Sequence, residues 1–417
     1  MSFILTAALN TLLPNSNPMF TADIQRDTPL ESRIILTNNG SLPITSLDHN
    51  FADLGMIKLI PAQTTCTSIS LMNPLASGQS CTYVLHLLSN NIPGVYHNTA
   101  SINATSNSGD AYHLQFAIDV NTYLYAGTAN SVQKWNGTTW STVGNGTSPG
   151  AVKTLAWDDQ GHLYAGTNYD VQSLNGDTWN KVGSNPPVSV NGLTFDDQGN
   201  LFAGSATRGA QELAKGANIW QPLGIKGPTA ITSLFFVNGN HTLYAGTNDY
   251  TKQWNGKAWS STPGEPLLGS VAFALDSKNN TLYTGTDSGT VYQLNLNSNT
   301  TWKNTGNPGE EFDLVDALAF DNNDQLFAGI DNTDNSIKAH TANADWTNYG
   351  SDIPSFITAL AFDGNNTLYA GNYGSGTNVY ELKTASGLWE AIPGAPKNTF
   401  VNALTIGSDL SIQAVTQ

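Results

Sequence analysis

The chain has 417 residues, of which only 12% are charged, and its formal net charge is −16. This length exceeds what one ordinary hydrophobic core supports, so we expect two domains. The acidic surface repels nucleic acid and anionic membranes and excludes both as expected partners, while the low charge and many turn residues are typical of an extracellular all-β protein.

The first nine residues, Met1–Leu9, are apolar but have neither a positively charged segment nor a clear cleavage site. We interpret them as a first strand, with any signal peptide already removed or with export that needs no such signal. No apolar run of about 18 residues occurs, so no transmembrane helix is predicted.

Residues 1–120 contain short runs in which apolar and polar residues alternate. Examples are Ser32–Thr37, Cys81–Leu87 and Tyr112–Ile118, and turn residues separate them. This pattern predicts a β-sandwich of about seven strands. The composition changes near residue 120, because all ten tryptophans lie at or beyond Trp135. We therefore expect domains at 1–120 and 121–417.

The only cysteines, Cys66 and Cys81, stand 15 residues apart in the first domain. A disulfide closing a loop of that size would stabilise the domain by about 3 kcal/mol. It would also indicate an oxidising compartment. Two unrelated buried thiols are the alternative.

The stretch Leu75–Val84, followed by Pro93-Gly-Val-Tyr96, resembles the immunoglobulin-like modules of bacterial surface and secreted proteins. In those modules a Leu-x-x-Gly-x-Ser-Cys strand pairs with an earlier cysteine. The resemblance covers most of 30–105. It implies an immunoglobulin-like sandwich that acts as a spacer or adhesion module, with no catalytic residues.

Beyond residue 121 the chain repeats the motif Leu-aromatic-(Ala/Thr)-Gly seven times, with a Trp following each copy. The motif glycines are Gly127, Gly166, Gly204, Gly246, Gly285, Gly329 and Gly371. A period near forty residues with strand-forming residues in every unit is the signature of a β-propeller.

Each repeat divides into four strands, a to d. The Ala-Gly of strand b suits a position where the next blade packs closely. We interpret the strand-d tryptophans as blade packing rather than sugar-binding surfaces. They are Trp140, Trp179, Trp220, Trp259, Trp302, Trp346 and Trp389.

The strand count predicts how the ring closes. Strands b, c and d occur seven times from residue 124, whereas strand a first appears at 152 and for the seventh time at Val401–Ile406. The carboxy-terminal strand would therefore complete the first blade and close a seven-bladed propeller. Eight blades would require Tyr112–Ile118 as another strand a, and we assign that run to the sandwich.

Asp and Asn residues recur between strands a and b, at Asp158, Asp196, Asp321 and Asp363. Such side chains close hairpins by bonding to nearby backbone. Calcium binding is the alternative, but the alternating spacing of a calcium loop is absent.

The repeat resembles secreted bacterial propellers of the kelch, NHL and Asp-box type. Asn-Gly-x-(Thr/Ala)-Trp, at 136–140, 175–179 and 255–259, is similar to the Asp box but places its polar residue directly before Gly. The kelch double glycine is missing. The resemblance implies the architecture and no particular function.

The sequence offers little catalytic chemistry. The propeller has a single arginine, Arg208, where a sialidase needs an arginine cluster, and it has no cysteine. Three histidines, His162, His241 and His340, are scattered, so no metal site and no cofactor are expected. No Gly-x-Ser-x-Gly elbow occurs. Carboxylates at Glu310–Asp313 leave a two-carboxylate glycosidase formally possible, with a solvated loop as the alternative.

Loops b–c and d–a open on one propeller face, and we expect the binding site there. From the strand-b Gly to the end of strand c the repeats count 8, 8, 9, 8, 9, 11 and 11 residues. Loops that differ in this way favour one composite surface that binds a single large partner, rather than a repeated sugar site in every blade. Neutral drift of the surface loops is the alternative. The predicted binding residues are Tyr169, Arg208, Tyr250, Asp287, Glu310, Glu311, Asp313, Asp331, Asp334, Asp352 and Tyr373.

The sequence thus predicts a secreted or surface protein, monomeric and non-enzymatic, that binds a protein partner. A carbohydrate-binding propeller is the second interpretation, and a polysaccharide-cleaving enzyme is the third.

Overall fold

The computed structural model describes residues 5–8, 20–51, 55–88, 92–224, 227–261, 264, 269–298, 301–310, 313–333, 336–340, 345–352, 354–383 and 385–414. Within these ranges the regular structure consists of β-strands and two short 3-10 turns, Cys66–Ser68 and Asn238–Asn240. These ranges contain no helix with the length and hydropathy needed to cross a membrane.

The described residues form two compact units. The first comprises those up to Tyr123 together with those from Gly407 onward, and the second is Leu124–Ile406. The sequence-based division at 120 assigned all of 121–417 to the second domain. The difference at the carboxy-terminal end arises because Leu410 and Ile412 are buried in the core of the first unit.

The first unit contains two antiparallel sheets that share one hydrophobic core. One sheet has the order β1-β2-β3-β6-β5, and the other contains β4, β7 and β8, with β35 pairing to β8. Alternate residues face the core, as in β3, because strand side chains point to opposite faces in turn. The strands are β1 (Leu5–Ala8), β2 (Phe20–Arg26), β3 (Glu31–Asn38), β4 (Ile44–His49), β5 (Ile57–Leu59), β6 (Ser80–Leu87), β7 (Gly94–Ser106), β8 (Ala111–Thr128) and β35 (Val401–Ala414).

The predicted disulfide is present in this unit. Cys66 and Cys81 are bonded to each other, and both are buried in the core. The bond joins the 3-10 turn at Cys66–Ser68 to β6, which confirms the disulfide interpretation over that of two separate thiols.

Among the described residues, the second unit contains six four-stranded antiparallel sheets, and the strands of its first repeat belong to the six-stranded sheet that also contains β4 and β7. We number its repeats 1 to 7 by their motif glycines, from Gly127 to Gly371, and letter the strands a to d as above. In that order the strands are: repeat 1, β35, β8, β9 (Val132–Trp135), β10 (Trp140–Thr142); repeat 2, β11 (Val152–Trp157), β12 (Leu163–Thr167), β13 (Val171–Asn175), β14 (Thr178–Lys181); repeat 3, β15 (Val190–Phe195), β16 (Leu201–Ser205), β17 (Gly209–Leu213), β18 (Gln221–Pro222); repeat 4, β19 (Ile231–Val237), β20 (Thr242–Thr247), β21 (Thr251–Trp254), β22 (Trp259–Ser261); repeat 5, β23 (Ser270–Asp276), β24 (Thr281–Thr286), β25 (Val291–Asn295), β26 (Lys303–Asn304); repeat 6, β27 (Val315–Phe320), β28 (Leu326–Ile330), β29 (Ile337–His340), β30 (Trp346–Asn348); repeat 7, β31 (Ile357–Phe362), β32 (Leu368–Asn372), β33 (Val379–Lys383), β34 (Leu388–Ala391).

Each motif glycine lies against the first residue of strand a in the following repeat. A Cβ on Gly166 would come within 2.7 Å of Val190 Cγ1, and one on Gly246 within 2.0 Å of the Ser270 carbonyl oxygen. These distances are far shorter than a carbon contact allows, so only glycine permits this approach. The prediction that strand b packs closely on its neighbour is confirmed.

The strand-d tryptophans join neighbouring repeats. Trp220 Nε1 donates a hydrogen bond to the Val182 carbonyl at 2.9 Å, and Val182 lies three residues after the preceding Trp179. The same bond recurs for Trp179, Trp259 and Trp389, to the carbonyls of Val143, Leu223 and Tyr349. Trp140 differs, because its buried Nε1 has no hydrogen-bond acceptor among the described residues. The contacts support the structural interpretation of the repeated tryptophans.

This difference predicts unequal effects of removing the indole nitrogen. Trp220→Phe leaves the Val182 carbonyl without its donor, which costs about 1–3 kcal/mol for a buried group. Trp140→Phe removes no such bond. We expect Trp220→Phe to lower the free energy of unfolding by about 2 kcal/mol more than Trp140→Phe does, measured by urea denaturation. Equal losses would show that the bond adds nothing beyond ring packing.

The Asp residues between strands a and b close their hairpins as predicted. Asp158 Oδ1 accepts hydrogen bonds from the backbone nitrogens of Gln160 and His162 at 3.0 and 2.8 Å. The same pair of bonds recurs at Asp196, Asp321 and Asp363. One oxygen of each carboxylate therefore stabilises the turn.

Candidate functional site

Loops b–c and d–a lie at the same end of each sheet in repeats 2 to 7, because the four strands of each of these sheets are antiparallel and sequential. We call this end of the second unit the loop face. All the predicted binding residues belong to loops or strand ends on it, apart from Glu311 and Asp334, which lie outside the described residues.

The b–c loops of repeats 1 to 5 share one design. A hydroxyl at the end of strand b accepts hydrogen bonds from backbone nitrogens two to four residues later, as Thr167 does from Tyr169 and Asp170. The equivalent residues are Thr128, Ser205, Thr247 and Thr286. Such turns are compact and rigid. Repeats 6 and 7 replace the hydroxyl with Ile330 and Asn372, and their loops are longer.

In repeat 7 an amide network replaces the hydroxyl turn. Asn372 Nδ2 donates to the Ser355 carbonyl at 3.1 Å, and Asn372 Oδ1 accepts from Asn378 Nδ2 at 3.0 Å. Asn378 is fully buried, and its Oδ1 accepts from the Thr399 nitrogen. The network ties the b–c loop of repeat 7 to the d–a loops on either side of it.

These loops hold three aromatic rings in a continuous stack. The ring centroids of Phe356 and Tyr373 are 4.9 Å apart with 28° between their planes, and those of Tyr373 and Phe400 are 5.0 Å apart with 21°. Phe400 is 50% exposed, whereas the other two rings are half-buried. We call Phe356, Tyr373 and Phe400 the aromatic stack. Phe400 is its most exposed ring.

Phe356 takes a backbone conformation that aromatic residues rarely adopt. Its φ is 55°, in the left-handed region. Ser189 and Ala230, which also directly precede a strand a, have φ values of 51° and 55°. The fold thus imposes this conformation at several repeats, and repeat 7 places a bulky ring there. Strain of this kind is concentrated at functional sites, because function retains an otherwise unfavourable residue.

One carboxylate contacts the stack, and the charge of a second one acts on it. Tyr373 Oη donates a hydrogen bond to Asp331 Oδ1 at 3.3 Å. Burial, and then the nearby charge of Asp331, raise the pKa of Asp316 to about 7. Burial and both carboxylates raise the pKa of Tyr373 above its usual range, so its phenol stays protonated at neutral pH. Neither Asp316 nor Asp331 makes an ion pair with Lys or Arg among the described residues.

The position of Asp316 explains how a protonated carboxyl fits there. It is the second residue of its strand a, and the equivalent Asn191 and Thr358 donate side-chain hydrogen bonds to the carbonyls of Ile231 and Val401 in the next repeat. A carboxylate cannot donate such a bond, but a carboxylic acid can. A protonated Asp316 has the donor that this position uses in repeats 3 and 7, although no hydrogen bond from its carboxyl is present among the described residues.

The predicted carboxylates Glu310 and Asp313 close their own loop. Asp313 Oδ2 accepts from the Glu310 nitrogen at 2.8 Å and from Asn332 Nδ2 at 2.6 Å. Glu310 is exposed. Asp313 thus joins the d–a loop that precedes repeat 6 to the b–c loop that carries Asp331, and it fits the solvated-loop alternative.

The remaining predicted residues are distributed over the other repeats. Tyr169 is 73% exposed, and Arg208 Nη1 donates to Asn185 Oδ1 at 3.3 Å. Lys252 Nζ lies 4.3 Å from the ring centroid of Tyr250. Burial, followed by the charge of Asp249, raises the pKa of Asp287. Asp352 is exposed in the d–a loop that leads to Phe356.

Sequence reasoning named Tyr373 and Asp331 but missed Phe356, Phe400 and Asp316. One signal was available: the residue before strand a is aromatic only in repeats 7 and 1, and it is Ala151, Ser189, Ala230, Gly269 or Leu314 elsewhere. That the three rings stack on one another required the tertiary structure.

No protein-family model matches the chain, and no curated protein matches its sequence. Among solved structures, the extracellular domain of BT4673 from B. thetaiotaomicron is similar at 17% identity and a TM-score of 0.51, over 68% of this chain and 38% of that chain. The chain thus matches well under half of that domain's length. The computationally designed protein Ika8 is similar at 16% identity and a TM-score of 0.50, over 70% of this chain and 93% of its own. Identities this low show the fold alone, which is that of β-propeller domains.

Proposed function

We propose that the chain is a secreted or surface protein with an immunoglobulin-like module and a closed seven-bladed propeller, and that its loop face binds a protein partner. It acts in this proposal as a monomer, without a cofactor and without catalysis. The observation that carries the proposal is the aromatic stack, which is held by hydrogen-bonded loops and ends in the half-exposed Phe400.

The contacts of β35 support a closed ring of seven. Thr358 Oγ1 of repeat 7 donates to the Val401 carbonyl at 2.6 Å. On the other side, Asn402 Nδ2 donates to the Val152 carbonyl of repeat 2 at 2.7 Å. The carboxy-terminal strand thus has the neighbours that strand a of a first blade would need. Closure of this kind removes open sheet edges.

The two-sheet core and the disulfide of the first unit support an immunoglobulin-like module and an extracytoplasmic location. A buried disulfide persists in an oxidising compartment. The acidic net charge of −16 opposes partners that carry negative charge, such as nucleic acid.

The rigidity of the stack favours recognition of a large partner. The Phe356 nitrogen donates to the Asn332 carbonyl at 2.8 Å, and the Ala129 nitrogen donates to the Phe400 carbonyl at 3.2 Å. Loops of repeats 6, 7 and 1 are therefore connected. Pre-organised aromatic residues are frequent hot spots of protein interfaces, because little conformational entropy is lost on binding.

Carbohydrate binding is the second candidate. Exposed aromatic rings next to carboxylates also suit sugar rings, which stack on the π face and donate hydroxyl hydrogen bonds. The seven strand-d tryptophans are not such surfaces in this proposal, because they pack between neighbouring repeats. A sugar site would therefore be the single site at the stack.

Immobilised full-length protein, probed with protein extracts and with a glycan array, tests the proposal. We expect Phe400→Ala to reduce capture of the retained partner by about fivefold or more, because a half-exposed ring at an interface centre contributes about 1–2 kcal/mol. Met72→Ala is the matched control, since Met72 is an exposed apolar residue of the first unit with 96% of its area accessible. Capture that depends on Met72 and not on Phe400 would assign binding to the first unit.

A further inference from the structure

We infer that the aromatic stack and the Asp331 carboxylate, which accepts a hydrogen bond from Tyr373, bind the guanidinium group of an arginine in a basic segment of the partner protein. This inference rests on the proposed function and names the chemistry that the loop face recognises. It follows from three features: Phe400 is half-exposed, Asp331 accepts a hydrogen bond from Tyr373 without an ion pair to Lys or Arg, and no three metal-ligating side chains converge among the described residues.

The accessible ring is Phe400, at the end of the stack. A guanidinium is planar and weakly hydrated, so it lies flat against aromatic rings more readily than an ammonium does. The ring beneath Phe400 is Tyr373, whose plane is within 21° of it. The stack therefore holds the Phe400 ring in one orientation. Little conformational entropy of this side chain is then lost when a cation binds over it.

The charge beside the ring selects the sign of the ligand. Tyr373 Oη donates to Asp331 Oδ1, and no hydrogen bond to Asp331 Oδ2 is present among the described residues. The Asp331 carboxylate therefore keeps an oxygen for a further donor. A guanidinium can donate hydrogen bonds to a carboxylate while its flat face contacts an aromatic ring.

A basic side chain of the chain itself does not fill the site. Lys397 belongs to the same d–a loop as Phe400, but it is exposed and forms no ion pair among the described residues. A metal ion is the other possible cation. No group of three His, Cys, Asp or Glu side chains within the described ranges is placed to hold one. An organic cation that needs one or two carboxylates and a ring fits this geometry better.

Fluorescence anisotropy with labelled peptides tests the inference on the full chain. The probe is a heptapeptide of sequence Gly-Ser-Arg-Gly-Arg-Gly-Ser, and its analogues carry Lys or Gln in place of both arginines. We expect the Arg peptide to bind about tenfold more tightly than the Gln peptide and severalfold more tightly than the Lys peptide. Equal affinity for the Arg and Gln peptides overturns the inference.

Two variants and two controls locate the site. Phe400→Ala and Asp331→Asn should each reduce the preference for Arg over Gln about fivefold or more. Ile219→Ala removes an exposed apolar side chain of repeat 3, and Asp177→Asn removes an exposed charge from the c–d turn of repeat 2, so both should leave the preference within about twofold. Equal loss in Asp331→Asn and Asp177→Asn would show diffuse attraction to an acidic surface and would overturn the inference.

The outcomes separate this inference from the proposed function. If glycan or protein capture depends on Phe400 while the Arg peptide shows no preference, the loop face is the binding surface and its ligand is not a guanidinium. If neither capture nor peptide binding responds to Phe400→Ala, both statements are wrong. Thermal unfolding of each variant at the assay pH confirms that the folded protein is being compared.

Discussion

Replacing Asp316 with Asn is expected to stabilise the protein at pH 8 and to change little at pH 4. The pKa of this carboxyl rises from 3.8 to about 7 in the folded chain, because burial and the charge of Asp331 oppose its ionisation. Between these values the folded chain retains a proton that the unfolded chain has released. The free energy of unfolding therefore falls as the pH rises through this window, and the loss is complete above pH 7.

The expected gain at pH 8 is on the order of 4 kcal/mol, since each unit of pKa shift corresponds to about 1.4 kcal/mol. Asn keeps the size of the side chain and supplies the amide donor that Asn191 uses at the equivalent position of repeat 3. Urea denaturation of the parent and the variant at pH 4, 6 and 8 measures the difference. Tyr373, which also faces Asp316, does not titrate in this range because its pKa is raised.

Asp352→Asn provides the control, since Asp352 is exposed in a d–a loop of the same unit. Its effect on the free energy of unfolding should stay within about 0.5 kcal/mol at every pH. A gain for Asp316→Asn that is the same at pH 4 and pH 8 would contradict the argument, because it would come from packing and not from ionisation.

The second large effect is expected at the close contact between repeats. Gly246→Ala places a Cβ 2.0 Å from the Ser270 carbonyl oxygen and 2.5 Å from Ser233 Oγ. The backbone of strand a in repeat 5 has to move away, because the nearest atom belongs to the main chain. We expect a loss of about 3 kcal/mol in the free energy of unfolding, the upper range for overpacking.

Gly239→Ala is the matched control within the same repeat. A Cβ on Gly239 would meet no atom within 4 Å, and its φ is not in the left-handed region. Alanine there should leave stability within about 0.5 kcal/mol, as measured by thermal or urea unfolding. Comparable losses in the two variants would show that the strand-b glycine is not required by packing.

Local sequence patterns were sufficient to predict most of the architecture. The Leu-aromatic-(Ala/Thr)-Gly motif places an apolar residue and a closely packed glycine at fixed positions of strand b, and the recurring Asp residues close the next hairpin. These features depend on a few neighbouring residues, so they are readable along the chain. The cysteine pair and the strand order followed from the same kind of pattern.

The domain boundary was harder to place. Strand β8 runs from Ala111 to Thr128, its burial alternates from Leu114 to Leu124, and no turn residue marks the predicted boundary near 120. The carboxy-terminal strand likewise continues to Ala414, so that Leu410 and Ile412 enter the core of the first unit. Alternation along a strand does not reveal which core a residue enters, because that depends on the strand it pairs with.

The sequence by itself determined the length of the repeat, the residue types at fixed positions of each strand and the choice of the loop face as the candidate binding surface. These features follow from spacing and residue type. Only the tertiary structure decided which residues of that face act together. Phe356, Tyr373 and Phe400 stand 17 and 27 residues apart, and Asp316 and Asp331 lie in a neighbouring repeat. Loops from separate repeats meet because the sheets pack side by side, so the site is a product of the packing and not of any one segment.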